Sequence, residues 1–183
     1  MRWGITSDAF EYHGTTDLCL QEIQNCKKTS LGPNFVTLIG QKYGLRPVPT
    51  SISVKEFEIL NNELQNILKE DLSIKYIPTN DSSQIYQIDN IMTECYKLDI
   101  NSIPNRYRIL PISRIIPTFN AEVLEVKNNS RTFWEMVKTK LLYSLRLAAD
   151  SAFKNKSIDS VIKDRYFVSS IFLSCKLIHF MLL

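Results

Sequence analysis

One stretch brings together the residues best placed to do chemistry, LCLQEIQNCKKTSLGPNFVTLIGQKYG, residues 18–44. Glu22 is a carboxylate on a helix-like segment, just upstream of an apolar strand-like segment. A carboxylate in such a place can move a proton or stabilise developing positive charge. The strand-like segment stops at Gly40-Gln41-Lys42-Tyr43-Gly44, so two of the chain's five glycines bracket an amide, a cation and a phenol. Glycine permits positive φ or close backbone approach. In a parallel sheet, the loop after a strand's carboxyl end is where ligands sit. Each feature also has a plainer reading. Glu22 can be a solvated mid-helix charge, and the glycine pair can close a tight turn. The residues alone leave both pairs of readings open.

The rest of the chain offers little competing chemistry. There is no phosphate-cradling G-x-x-x-x-G-K-[ST], no G-x-G-x-x-G, no G-x-S-x-G and no H-E-x-x-H. Only two histidines occur, His13 in a polar stretch and His179 in the apolar tail. Four cysteines, Cys19, Cys26, Cys95 and Cys175, form no C-x-x-C pair. No metal site is expected from that spacing, and the thiols read as buried and reduced. Cys19 and Cys26 lie seven apart, on one face of their helix.

The net charge of +3 is spread without a run of five like charges. That argues against a nucleic-acid partner, which concentrates basic residues on one face. With 44% apolar residues in 183, the chain can bury a sizeable core. No secretory leader is visible, so a reducing, cytoplasmic setting is the expectation.

These residues need elements to hold them. Asp17 is placed to cap a helix running to about Lys28, with Cys19, Ile23 and Cys26 on one face. Residues 35–40, FVTLIG, read as a strand buried on both faces, as in a parallel sheet. Ser53-Val54-Lys55-Glu56 matches a capping box. The helix after it, to about Glu70, carries Phe57, Leu60, Leu64, Ile67 and Leu68 as a core stripe. Glu56 and Glu58 sit at its start, where negative charge suits the helix dipole. Residues 85–99 place Ile85, Ile88, Met92, Cys95 and Tyr96 at helical spacing. Residues 107–112, YRILPI, read as a second strand, and 113–129 as a mixed connection.

Residues 130–153 form the strongest helical pattern, with Trp134, Val137, Leu141, Leu145, Ala148 and Ala152 on one face and Thr132-x-x-Glu135 as its capping box. Residues 159–170 are a weaker amphipathic segment. The last thirteen residues are apolar without clear period, but Lys176 and His179 interrupt them. They fall short of a bilayer span, so no membrane partner is expected.

With MRWGI at the start, then LCLQEIQNCKKTSLGPNFVTLIGQKYGLRPVP, EFEIL, ECYKLDINSIPNRYRILPIS and LRLAADSA, the chain resembles the N-terminal region of the NACHT and WD repeat domain-containing proteins. The resemblance covers roughly residues 1–168. It implies an α/β fold of Toll/interleukin-receptor type: an incomplete flavodoxin-like parallel sheet flanked by helices, with a helical C-terminal part. On this reading residues 1–118 are the truncated α/β domain. Residues 119–168 are a helical extension leading towards an absent NACHT domain, and 169–183 an atypical tail.

The implied role is a non-catalytic interaction or regulatory module in a signalling NTPase, meeting a protein partner through Gly40, Gln41, Lys42, Tyr43 and Gly44. No cofactor is expected in this chain, because ATP or GTP would belong to the NACHT domain. The same resemblance implies a rival. Some Toll/interleukin-receptor domains cleave NAD with a helix glutamate in a Trp-Cys-x-x-Glu context, and Cys19 and Glu22 keep that spacing, with Leu18 in the aromatic's place. Glu22 would then stabilise positive charge on the ribose as nicotinamide leaves.

Overall fold

A computed structural model of the chain describes residues 7–29, 31, 48–70, 76–77, 86–87 and 90–167. They fall into two compact units, one drawn from Met1–Pro47 with Val168–Leu183, the other spanning Val48–Phe167. The first unit contains helices α1 (Ser7–Glu11) and α2 (Thr15–Thr29). Between them His13 adopts left-handed backbone, φ 57°, and the Gly14 amide donates to the Ala9 carbonyl at 2.8 Å. Because α2 begins at Thr15, Asp17 lies inside its first turn rather than capping it, and Lys27 and Lys28 occupy the last turn. All three charges favour the helix dipole from those positions.

Nothing on α2 is buried, so the expectation of buried thiols fails for Cys19 and Cys26, which are exposed. Their face carries one isoleucine and two small thiols, too little apolar surface to bury a helix. Residues 35–40 and the loop Gly40, Gln41, Lys42, Tyr43 and Gly44 lie outside the described residues.

The second unit is helix-rich, with a small antiparallel sheet. Strand β1 (Ser51–Ser53) runs directly into α3 (Val54–Glu70). A two-residue pair, β2 (Tyr76–Ile77) and β3 (Tyr86–Gln87), follows. Next come α4 (Ile91–Cys95), β4 (Tyr96–Asp99), β5 (Arg106–Ile109) and α5 (Ile112–Ile115). A 3₁₀ turn (Pro117–Asn120) then leads to α6 (Leu124–Lys154) and α7 (Ser160–Phe167).

The main sheet has the order β1-β5-β4, both pairings antiparallel. The parallel sheet expected from the sequence is therefore not what the described strands form. The strand expected over 107–112 is present only as Arg106–Ile109, with Ile112 already opening α5, and its neighbours run against it. Strand alternation divides the sheet cleanly. Ile52, Tyr107, Ile109, Tyr96 and Leu98 share one face, while Ser51, Arg106, Arg108, Lys97 and Asp99 share the other.

The core lies between that apolar face and the helices. Phe57, Leu60, Leu64 and Leu68 of α3 meet Trp134, Val137, Leu141, Leu145, Ala148, Ala149 and Ala152 of α6, all buried. The two stripes read from the sequence are thus the two faces of the principal helix contact, with Ile67 at its half-buried margin. Phe57 stacks on Tyr107, ring centroids 3.8 Å apart, tying α3 to the sheet.

Two local expectations are corrected. Among the described residues of 85–99, only Ile91–Cys95 is α-helical, because Tyr96–Asp99 pairs with β5 instead of continuing the turn. The Tyr96 phenol donates to the Pro49 carbonyl at 2.6 Å, a tertiary contact that periodicity does not register. The long helix starts at Leu124, not near 130. Thr132 is therefore mid-helix, its hydroxyl donating back to the Asn128 carbonyl at 3.1 Å rather than capping.

Candidate functional site

Glu56 is the most deeply buried carboxylate among the described residues, 5% exposed. It is the third residue of α3, held there by the box that Ser53 opens. The Glu56 amide donates to Ser53 Oγ at 3.4 Å, and that hydroxyl lies the same distance from Oε2. The carboxylate is committed elsewhere. Oε1 accepts from the Tyr166 phenol at 2.6 Å, and Oε2 accepts from Arg165 Nη2 at 2.8 Å. A buried carboxylate needs partners of this kind, because leaving its charge unpaired in low dielectric is costly. Burial, then the negative charge of Glu56, push the Tyr166 phenol well above its ordinary range. Tyr166 is thus held as a proton donor and is not available as a base.

Helix α7 is gripped from the other side by α6. Arg146 Nε donates to the Tyr166 carbonyl at 2.8 Å, capping the α7 C-terminus with a cation. Asp150 accepts from Lys163 of α7 at 2.6 Å and from Lys154 at 2.8 Å. Hydrogen bonds from Lys154, then Lys163, pull the Asp150 carboxyl down to about 2. Lys163 also stands 4.7 Å from the Phe153 ring centroid, a cation–π distance. A second bridge joins α3 to the end of α6. Ser151 Oγ donates to Glu63 at 2.7 Å and Asn155 Nδ2 donates to it at 3.0 Å.

A cleft of about 680 Å³ opens beside Glu56, with Lys55, Ile59, Phe153, Lys156 and Asp159 among its walls. Its floor turns at Lys156, in left-handed backbone with φ 58°. There the Ser157 amide donates back to Ala152 at 2.8 Å, ending α6 in a Schellman-like cap. The cleft mixes ammonium groups, carboxylates and apolar carbons. Its deepest carboxylate is spent on α7, so the arrangement builds a joint and supplies no proton-transfer pair.

Among the described residues, no group of three His, Cys, Asp or Glu side chains could hold a metal ion. No described helix is long and apolar enough to cross a membrane. Glu22 is exposed on α2, in the other unit, and residues 40–44 lie outside the description. The capping-box spacing marked Glu56 as a helix-start charge. Nothing near Arg165 or Tyr166 in sequence signals that they close on it.

No family model matches the chain, and no solved structure matches it. Curated relatives do. Mouse NACHT domain- and WD repeat-containing protein 1 is 34% identical over 116 residues, covering 63% of this chain and 6% of the mouse protein. The human protein 1 is 48% identical over 64 residues, 35% of this chain and 4% of the relative. Human NACHT and WD repeat domain-containing protein 2 is 28% identical over 142 residues, 73% of this chain and 7% of the relative. The chain thus spans a small part of the length of each relative. Over part of its own length, this chain is homologous to the NACHT and WD repeat domain-containing proteins.

Proposed function

We propose that the chain is a non-catalytic protein-interaction and regulatory module of a NACHT and WD repeat type signalling protein, working in the cytoplasm. The observation that carries this reading is the 34% identity over 116 residues with the mouse relative. The fate of Glu56 supports it: the buried carboxylate is consumed in fastening α7, as suits a module built to be rigid. Residues 35–40 are taken as a strand of a Toll/interleukin-receptor-like region, and Gly40, Gln41, Lys42, Tyr43 and Gly44 as the loop that meets a protein partner. Nucleotide chemistry belongs to the NACHT domain of the relatives' name and needs no cofactor here.

The test is cross-linking mass spectrometry on the full chain in cells, wild type against the Lys42→Ala/Tyr43→Ala double variant. A partner cross-linked to residues 40–44 and lost in the variant, with circular dichroism unchanged, is the expected result. A partner retained by the variant removes the loop from the reading.

The second reading is NAD cleavage by Glu22, favoured by the exposure of that side chain on α2. Purified protein incubated with NAD distinguishes the two. The interaction reading expects no nicotinamide release, and release abolished by Glu22→Ala would replace it with the enzymatic one.

A further inference from the structure

The cleft beside Glu56 holds more charge than the α7 joint uses. At about 680 Å³ it falls within the size range of small-molecule sites, and like them it is mostly apolar with a few polar groups. Ile59 of α3, Phe153 of α6 and Ile162 of α7 supply apolar wall. The charged groups differ in whether they have partners. Glu56 is neutralised by Arg165 and accepts from the Tyr166 phenol. Lys154 is held by Asp150 at 2.8 Å. Asp159 Oδ1 accepts from the Ile162 amide at 2.8 Å, capping α7. Lys55 at the start of α3 and Lys156 in the turn after α6 are exposed, and their ammonium groups have neither an ion-pair nor a hydrogen-bond partner among the described residues. These two free cations outweigh Asp159, the one carboxylate of the cleft left without a cation.

We propose that this cleft binds a small amphipathic anion, its carboxylate or phosphate head met by Lys55 and Lys156 and its apolar body lying on Ile59, Phe153 and Ile162. Charge complementarity selects the head. A lysine ammonium is a point charge with three rotatable donors, so it suits either anion. The apolar wall contributes affinity by removing ligand carbon from water. A cation of the same shape meets two unpaired ammonium groups and is rejected, so the lysines contribute specificity. Lys55 and Ile59 belong to α3 and Ile162 to α7, so an occupied cleft adds a bridge between those helices beside the Glu56 cluster. A ligand bound only by the folded state stabilises it by mass action. The inference stands independently of the partner-facing loop at residues 40–44.

Titration of the full chain with octanoate, octyl phosphate and octylammonium, followed by amide NMR, tests it. Octanoate or octyl phosphate shifts the amides of Lys55, Lys156 and Ser157 saturably, with half-saturation between about 10 μM and about 1 mM. Saturation by either supports the proposal, and the tighter of the two identifies the head. Octylammonium binds at least about tenfold more weakly. Lys55→Met and Lys156→Met each weaken anion binding about threefold, the scale of an exposed ion pair, and the double variant weakens it about tenfold. Both lysines are exposed, so these variants keep the fold, which circular dichroism checks. Lys69→Met, about 20 Å further along α3, leaves binding unchanged. The absence of a saturable shift with either anion overturns the proposal. So does octylammonium binding as tightly as the anions, or an anion affinity that the double lysine variant leaves untouched.

Discussion

The phenol of Tyr166 donates a 2.6 Å hydrogen bond to Oε1 of Glu56, across 110 residues of chain. It joins the last turn of α7 to the first turn of α3. With Arg165 on the other carboxylate oxygen and Arg146 on the Tyr166 carbonyl, a helix of only eight residues becomes part of the second unit's framework. Helices this short do not hold together alone in water. Tyr166 is the one buried residue of α7, so this cluster, with the Lys163–Asp150 pair, is what fastens it.

Tyr166→Phe is expected to destabilise the protein by about 1.5–3 kcal/mol, the value of a hydrogen bond to a charged group. Glu56→Ala destabilises at least as much, because it leaves Tyr166 buried without its acceptor. Urea denaturation of wild type, both single variants and the double variant measures the coupling. A double variant whose loss equals the sum of the singles would show that the two side chains do not act as a pair.

The α3–α6 contact is the principal helix contact of the core. Leu64→Ala and Leu141→Ala, each at a fully buried position, are expected to cost about 2–5 kcal/mol. Ile100→Ala, at a position 71% exposed, is expected to stay within about 0.5 kcal/mol. Chemical denaturation gives the comparison. A small effect at Leu141 together with a large one at Ile100 would contradict the packing described.

Stability should fall in acid for a definite reason. The Asp150 carboxyl is lowered from 3.8 to about 2 by Lys154 and Lys163. A depressed native value means that the unfolded chain binds the proton first, so its contribution is full above about pH 4 and is lost as pH falls towards 2. Substituting Lys154→Met and Lys163→Met together should flatten the decline of melting temperature over that window. The acid carboxylate pairs elsewhere will still contribute, so the readout is the difference between the two profiles. Superimposable profiles would exclude Asp150 as a contributor.

The thiols should divide by reactivity. Burial, then the neighbouring charge of Glu94, push Cys95 up to about 12, whereas Cys19 and Cys26 are exposed. The thiolate is the reactive form. Alkylation followed by peptide mass spectrometry should modify Cys19 and Cys26 in the native protein, and Cys95 only at denaturant concentrations that unfold the second unit. Native-state labelling of Cys95 would mean that the α4–β4 junction opens locally.

Where the sequence was readable, it was readable through period. Leu60, Leu64 and Leu68, and likewise Val137, Leu141 and Leu145, recur at helical spacing, and all of them are core. The box at Ser53 correctly marked the start of α3. The same method placed a capping box at Thr132, two turns inside a helix, because Thr-x-x-Glu spacing also occurs mid-helix by chance. It extended a helix across residues 85–99, since Met92, Cys95 and Tyr96 fit one face locally, although β5 takes Tyr96 into the sheet. Of the candidate site residues, Glu22 lies exposed on α2, while the glycine-bracketed loop is outside the described residues.

By itself, then, the amino-acid order determined which faces of α3 and α6 turn inward, because side-chain apolarity and backbone period are local properties. Only the tertiary structure decided the antiparallel order of the sheet, the exposure of Cys19 and Cys26, and the use of Glu56 to anchor α7. Those outcomes rest on partners that are distant along the chain, such as Tyr166 and Glu56. Their meeting depends on how the elements pack, and no spacing within either segment records it.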